Sequence, residues 1–154
     1  MDTLPTWGPE FRVSFELYIN SFPNTNTNGY AEVIRFTSSD SNIGSYEDRI
    51  PALFVNKDGD IHPAHTSCMP SSCPLYASNL STWYKIDMQL YLKNNQYMFE
   101  VRIDNTVVNN FIVSKSVIQK LKNVRVLARS TTFYQLADIR IRNLFYKSGK
   151  PGKL

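Results

Sequence analysis

Residues 83–113 read WYKIDMQLYLKNNQYMFEVRIDNTVVNNFIV, and their alternation decides the fold. Tyr84, Ile86, Met88, Leu90 and Leu92 fall on one side of an extended strand; Lys85, Asp87, Gln89, Tyr91 and Lys93 fall on the other. After the polar break at Asn94, Asn95 and Gln96 the alternation resumes, with Tyr97, Phe99, Val101 and Ile103 set against Met98, Glu100, Arg102 and Asp104. Asp104-Asn105 then turns the chain into a third apolar run. A period of two held across two turns describes an antiparallel meander with one buried and one wetted face.

Working outward, residues 11–19 alternate again, with Phe11, Val13, Phe15, Leu17 and Ile19 inward and Arg12, Ser14, Glu16 and Tyr18 outward. Further strands are expected over 30–37, 50–55, 60–64, 123–128 and 137–146. The turn-rich stretch PNTNTNG at 23–29 and the polar stretch 38–48 separate the early strands. Asp58-Gly59 between two apolar runs is a hairpin signal. Only residues 114–121, SKSVIQKL, suggest a helix, with Ser114 as cap and Val117, Ile118 and Leu121 on one face. Trp83, Phe15 and Phe99 are assigned to the core. The pattern is all-β, an antiparallel two-sheet sandwich with at most one short helix near 114–121. The first and last strands are expected to pair.

The chain of 154 residues reads most simply as one domain over 1–147, with 148–154 as a flexible tail. Hydrophobic residues make up 42% and charged residues 19%, which excludes a disordered chain. No apolar run is long enough for a membrane span, and no leader-like pattern opens the sequence. The net charge of +4 is modest. The basic residues Lys115, Lys120, Lys122, Arg125 and Arg129 could form a patch for an anionic glycan or nucleic acid, but read better as solvated strand faces. No nucleic-acid partner is expected. Cys68 and Cys73 pinch a Pro- and Ser-rich loop as a local disulfide, and Asn79-Leu80-Ser81 is an N-glycosylation sequon. Both point to an extracellular setting. A metal site combining the two cysteines with His62 and His65 matches no structural zinc spacing.

The order of elements resembles the concanavalin A-like jelly roll in its laminin G-like or pentraxin-like form. FRVSFELYI resembles the opening strand and RIPALFVNKDGDIHPA the central hairpin. STWYKIDMQL and YMFEVRIDNTVV resemble the next pair, and ADIRIRNLFY the closing strand. The likeness covers residues 11–146. It implies a secreted or cell-surface recognition module, non-catalytic, binding a glycan or glycoprotein through rim loops or the concave sheet. A protein–protein adhesion or assembly domain, including a homo-oligomer, is the alternative, and a glycan-cleaving enzyme the third reading. Calcium is the one cofactor the resemblance allows.

Catalytic signatures are sparse. Glycosidases of this fold need two carboxylates flanking one bond; Glu47 and Asp48 are adjacent and would point to opposite faces. Glu10 with Glu16, or Asp87 with Glu100, could approach across strands, but one of each pair is expected to partner Arg12 or Arg102 instead. No Gly-x-Ser-x-Gly occurs, and there is no Gly-rich phosphate loop. For a lectin-like site, which needs an aromatic face with acceptor groups, the candidates are Asn42, Tyr46, Asp48, Arg49, His62, His65 and Tyr76. Asp58 and Asp60 could contribute to a rim calcium site, although the hairpin reading of that turn is preferred.

Overall fold

The computed structural model describes residues 9–23, 30–37, 51–65, 75–119, 124–127 and 138–149. Among the described residues, ten strands and one helix follow in chain order: β1 (Phe11–Ile19), β2 (Tyr30–Thr37), β3 (Ala52–Asn56), β4 (Asp60–Ala64), β5 (Tyr76–Ala77), β6 (Thr82–Lys93), β7 (Gln96–Ile103), β8 (Thr106–Val113), α1 (Lys115–Gln119), β9 (Arg125–Leu127) and β10 (Ile139–Ser148). They form two five-stranded sheets, ordered β10-β1-β6-β7-β8 and β5-β4-β3-β2-β9, with every described pairing antiparallel. This is the expected two-sheet jelly-roll sandwich.

The first sheet is the meander with β1 and β10 added. β1 lies between β6 and β10, so the first and last strands do pair. β10 runs through Ser148, two residues beyond the expected end, and the Gly149 amide donates to the Glu10 carbonyl at 2.9 Å. Both meander turns are two-residue loops, Asn94-Asn95 and Asp104-Asn105, with all four residues at positive φ. Asn and Asp tolerate that region, and such turns match the twist of the flanking strands.

The core lies between the sheets. Phe11, Val13, Phe15, Leu17 and Ile19 of β1 meet Ile86, Met88 and Leu90 of β6, Phe99, Val101 and Ile103 of β7, and Ile34, Phe36, Leu53, Val55 and Ile61 of the second sheet. Ile118 of α1 joins them, so the single helical turn serves as a plug. Trp83 is a correction: it falls on the outward phase of β6, 37% exposed, while its neighbour Tyr84 is buried. Parity along the strand, rather than aromatic character, decides which of the two goes inside. β5 is only two residues long, too short to show a period, and sequence reading left it in an irregular stretch.

At the β3–β4 hairpin the Asn56 side chain organises the turn. Its Oδ1 accepts from the backbone amides of Asp58 (2.9 Å) and Asp60 (2.7 Å), and its Nδ2 donates to Asp60 Oδ2 (2.9 Å). Gly59 sits at φ +89°, and a Cβ there would lie 2.6 Å from the Phe22 ring. Gly59→Ala therefore combines backbone strain with overpacking and should cost about 1–3 kcal/mol. Urea denaturation checks this; a midpoint equal to that of the unaltered chain would contradict the geometry.

Candidate functional site

The outward face of the second sheet carries an unusual set of side chains. In a regular strand, positions three apart point to opposite faces. β2 breaks that rule: its register with β3 slips between Glu32 and Ile34, so Glu32 pairs with Phe54 while Arg35 pairs with Ala52. The bulge at Val33 leaves Val33 and Ile34 both in the core cluster and puts Glu32 and Arg35 on the same outward side. Arg35 Nε lies 3.6 Å from Glu32 Oε2, and both side chains are almost fully buried (5% and 1% exposed).

His62 completes the group. Glu32, Phe54 and His62 form one cross-strand row, and Arg35, Ala52 and Ala64 form the next. The His62 ring contacts Tyr30 edge-on at 5.5 Å and Phe54 at 6.3 Å, and the residue is 2% exposed. On the β3 side the row from Arg35 continues through the small residues Ala52 and Ala64. A guanidinium, an imidazole, a phenol and a carboxylate thus share one aromatic-walled, buried cluster. Buried ionisable groups are costly to fold and concentrate where chemistry is done.

The other sequence-selected residues fall elsewhere. His65 is not beside His62: the chain turns inward after β4, and the His65 ring packs at 4.8 Å on Phe99 and 5.8 Å on Phe111 in the core. Burial pushes its pKa down to about 3. The unfolded imidazole titrates near its ordinary value of 6.5, so the unfolded chain takes up the proton first. The stability due to neutral burial is full above that value and is lost as pH falls from 6.5 toward 3. The urea midpoint should decline across that window and decline less steeply in His65→Leu; equal slopes would exclude His65 as the source.

Tyr76 lies on β5 with its ring T-shaped against Tyr84 at 6.1 Å, packed on the main core. Asp58 pairs with Lys57 at 2.6 Å and Asp60 accepts from Asn56. Among the described residues no group of three potential metal ligands occurs. Asn79 is exposed, and its backbone amide donates to Tyr84 Oη at 2.6 Å. Asn42, Tyr46, Asp48, Arg49, Cys68 and Cys73 lie outside the described residues.

The outward face of the first sheet is laced with ion pairs. Arg12 Nε donates to both Asp87 oxygens, at 3.1 and 2.9 Å. Glu100 accepts from Gln89 at 2.8 Å and from Arg102 at 2.7 Å. Desolvation, with the nearby Glu100 charge, raises the pKa of Tyr91. One arginine partner was expected for this pair; Asp87 and Glu100 are each held by one, Arg12 and Arg102, and do not form an acid–base pair. Glu16 accepts from Asn143 at 2.9 Å and from Arg142 at 2.6 Å, which together hold its carboxyl below the usual range.

No family profile and no curated protein matches the sequence. Solved structures do match the fold. A mutant of Trypanosoma rangeli sialidase with trans-sialidase activity aligns over 89% of this chain and 20% of its own, with TM-score 0.59 and 13% identity. An alginate lyase of polysaccharide lyase family 7 aligns over 90% of this chain and 58% of its own, with TM-score 0.56 and 10% identity. A marine lyase of the same family from Zobellia galactanivorans aligns over 93% and 64%, with TM-score 0.53 and 12% identity. The chain therefore spans about a fifth of the sialidase and less than two thirds of either lyase. At these identities the likeness establishes the concanavalin A-like jelly-roll fold.

The comparisons overturn the expectation of a non-catalytic recognition or adhesion module, because the structures sharing this fold are sialidases and alginate lyases, enzymes that process glycans. The physical source of the error is specific. The cross-strand carboxylate pair Asp87 and Glu100 falls on the first sheet, whereas the buried ionisable groups of β2 and β4 lie on either side of β3 in the second. The adjacent apolar pair Val33-Ile34 between Glu32 and Arg35 was the available signal, since two consecutive inward residues imply a slipped period. By fold, this is a two-sheet concanavalin A-like jelly roll of the kind found in sialidases and alginate lyases.

Proposed function

We propose that this chain cleaves an acidic polysaccharide, by elimination rather than hydrolysis, at the cluster on the outer side of its second sheet, which the polymer reaches only when the layer covering His62 and Arg35 moves aside. The observation that carries the reading is the bulge-assembled cluster of Tyr30, Glu32, Arg35 and His62 on one buried surface. Support for a glycan substrate comes from the fold shared with alginate lyases and sialidases.

Elimination from a uronate needs three things: a cation against the sugar carboxylate, a base for the proton on the carbon beside it, and an acid for the leaving oxygen. Arg35 supplies the cation, with a fork geometry suited to a carboxylate, and Glu32 holds it before substrate arrives. His62 takes the carbon-bound proton. The electron pair then forms the new carbon–carbon double bond as the bond to the leaving sugar oxygen breaks, and Tyr30 protonates that oxygen. Hydrolysis by a carboxylate pair suits this face less well: Glu32 is engaged by Arg35, and Asp60, at the hairpin end, by Asn56.

Incubation with alginate, polygalacturonate and a neutral glucan tests the reading. The expected result is ultraviolet absorbance from an unsaturated product with at least one acidic polymer and none with the glucan. Reducing ends appearing without that absorbance would indicate hydrolysis, and no new ends on any polymer would end the proposal. The laminin G-like or pentraxin-like branch stays a proposal resting on the strand pattern. An extracellular location is likewise proposed, on the Asn79 sequon and the Cys68 and Cys73 spacing.

A further inference from the structure

The first sheet presents a second, separate site. On its outward face β10 displays Arg140, Arg142, Phe145 and Lys147, opposite Tyr18, Glu16, Ser14 and Arg12 of β1. Two of these cations are mounted on aromatic rings: the Arg142 guanidinium lies 3.8 Å from the Trp83 ring centroid and Arg140 lies 6.0 Å from that of Tyr18, while the two rings sit 5.1 Å apart. Their side chains stay 53% and 65% exposed. Arg142 is clamped between Trp83 and Glu16, so less rotamer freedom remains to be lost on binding an anion.

Beside this pair is a cavity of about 330 Å³ walled by Ser14, Glu16, Trp83, Lys85, Asp104 and Asn143. A second bulge shapes it. The β1–β10 register slips between Ser14 and Glu16, and Asn143 takes φ +55°, which brings its amide to Glu16. The walls therefore offer hydroxyl, amide and carboxylate acceptors, an amine and an aromatic edge. That inventory suits a ligand that donates several hydroxyl hydrogens, while Arg140 and Arg142, paired on one side with Asp138 and Glu16 but still more than half exposed, have further N–H groups for one that also carries carboxylates.

We propose that this cavity, with Arg140 and Arg142 beside it, is a binding subsite for an acidic polysaccharide, distinct from the cluster on the other sheet. A single-stranded nucleic acid is the competing occupant, and the oligonucleotide arm of the test separates the two. Cations on an edge strand also discourage strand-to-strand aggregation, but that role needs neither the second bulge nor the carboxylate-lined cavity. The inference rests on this face alone and requires no cleavage elsewhere.

The test is calorimetric binding of alginate oligosaccharides to the full chain in a His62→Gln background, so that turnover does not consume the probe. Trp83→Ala with Arg142→Ala should weaken binding by at least about tenfold, as loss of a charge-assisted contact together with the ring that mounts it implies. Arg142→Lys, which keeps the charge and loses the fork, should fall between. Circular dichroism verifies that each variant is folded. Unchanged affinity in the double variant would overturn the proposal. So would equal affinity for dextran, or for a single-stranded oligonucleotide. If alginate binds here and no acidic polymer is cleaved, this site stands and the cleavage reading falls.

Discussion

Replacing His62 by glutamine is expected to lower the rate of polymer cleavage by about 10²–10⁴-fold, the usual contribution of one positioned acid–base group. Glutamine keeps much of the volume and the hydrogen-bonding capacity of histidine but cannot carry the proton. The Tyr30 and Phe54 rings that flank His62 should therefore keep their packing, and thermal stability should change little. The Glu32–Arg35 pair predicts a different signature. Arg35→Ala leaves the Glu32 carboxylate buried without the guanidinium beside it and should cost about 3–5 kcal/mol of stability as well as activity. Changing both, as Glu32→Gln with Arg35→Gln, should recover much of that stability and none of the activity. Measuring cleavage and urea denaturation on the three variants separates chemistry from folding. Full activity in His62→Gln would remove His62 from the mechanism.

Phe99→Ala should destabilise the domain by about 3–5 kcal/mol. Phe99 is fully buried on β7, its ring 5.3 Å from Phe111 and 4.8 Å from His65. Removing it leaves a cavity flanked by an imidazole that fits only as the neutral form. Domains of this size are stable by about 5–15 kcal/mol in total, so one such change is a large share. Ile112 on neighbouring β8 is the control: it is 54% exposed, and Ile112→Ala should stay within about 0.5 kcal/mol. Equal losses from the two substitutions, read as shifts in the urea midpoint, would contradict the assignment of the core.

Strand identity was largely readable wherever the two-residue period ran undisturbed. β1, β2 and β4 begin and end where alternation and turn residues place them, and both meander turns fall at their Asn and Asp pairs. The period fails as a guide where the backbone departs from it. The Val33 bulge moves Arg35 to the side opposite strict alternation, and the slip at Asn143 shapes the second cavity. His65 lies one residue beyond its strand, where a histidine after a proline and an alanine reads as loop and folds into the core. Neither site was assembled from the sequence, because each depends on cross-strand register. His62 stands out by residue type, whereas Tyr30, Glu32 and Arg35 belong to no motif and read only as part of the strand over 30–37.

The placement of β1 between β6 and β10 also sets an order of events in folding. The β6–β7–β8 meander closes through two-residue turns, so its contacts are local and can form within microseconds, as isolated hairpins do. β1 must instead find partners far away in sequence at both of its edges: Glu16 pairs with Lys85 on one side and Arg142 on the other. Closing such long loops costs entropy before any contact compensates it. The meander can therefore form first, leaving an open edge at β6 for β1, whose own far edge is covered in turn by β10.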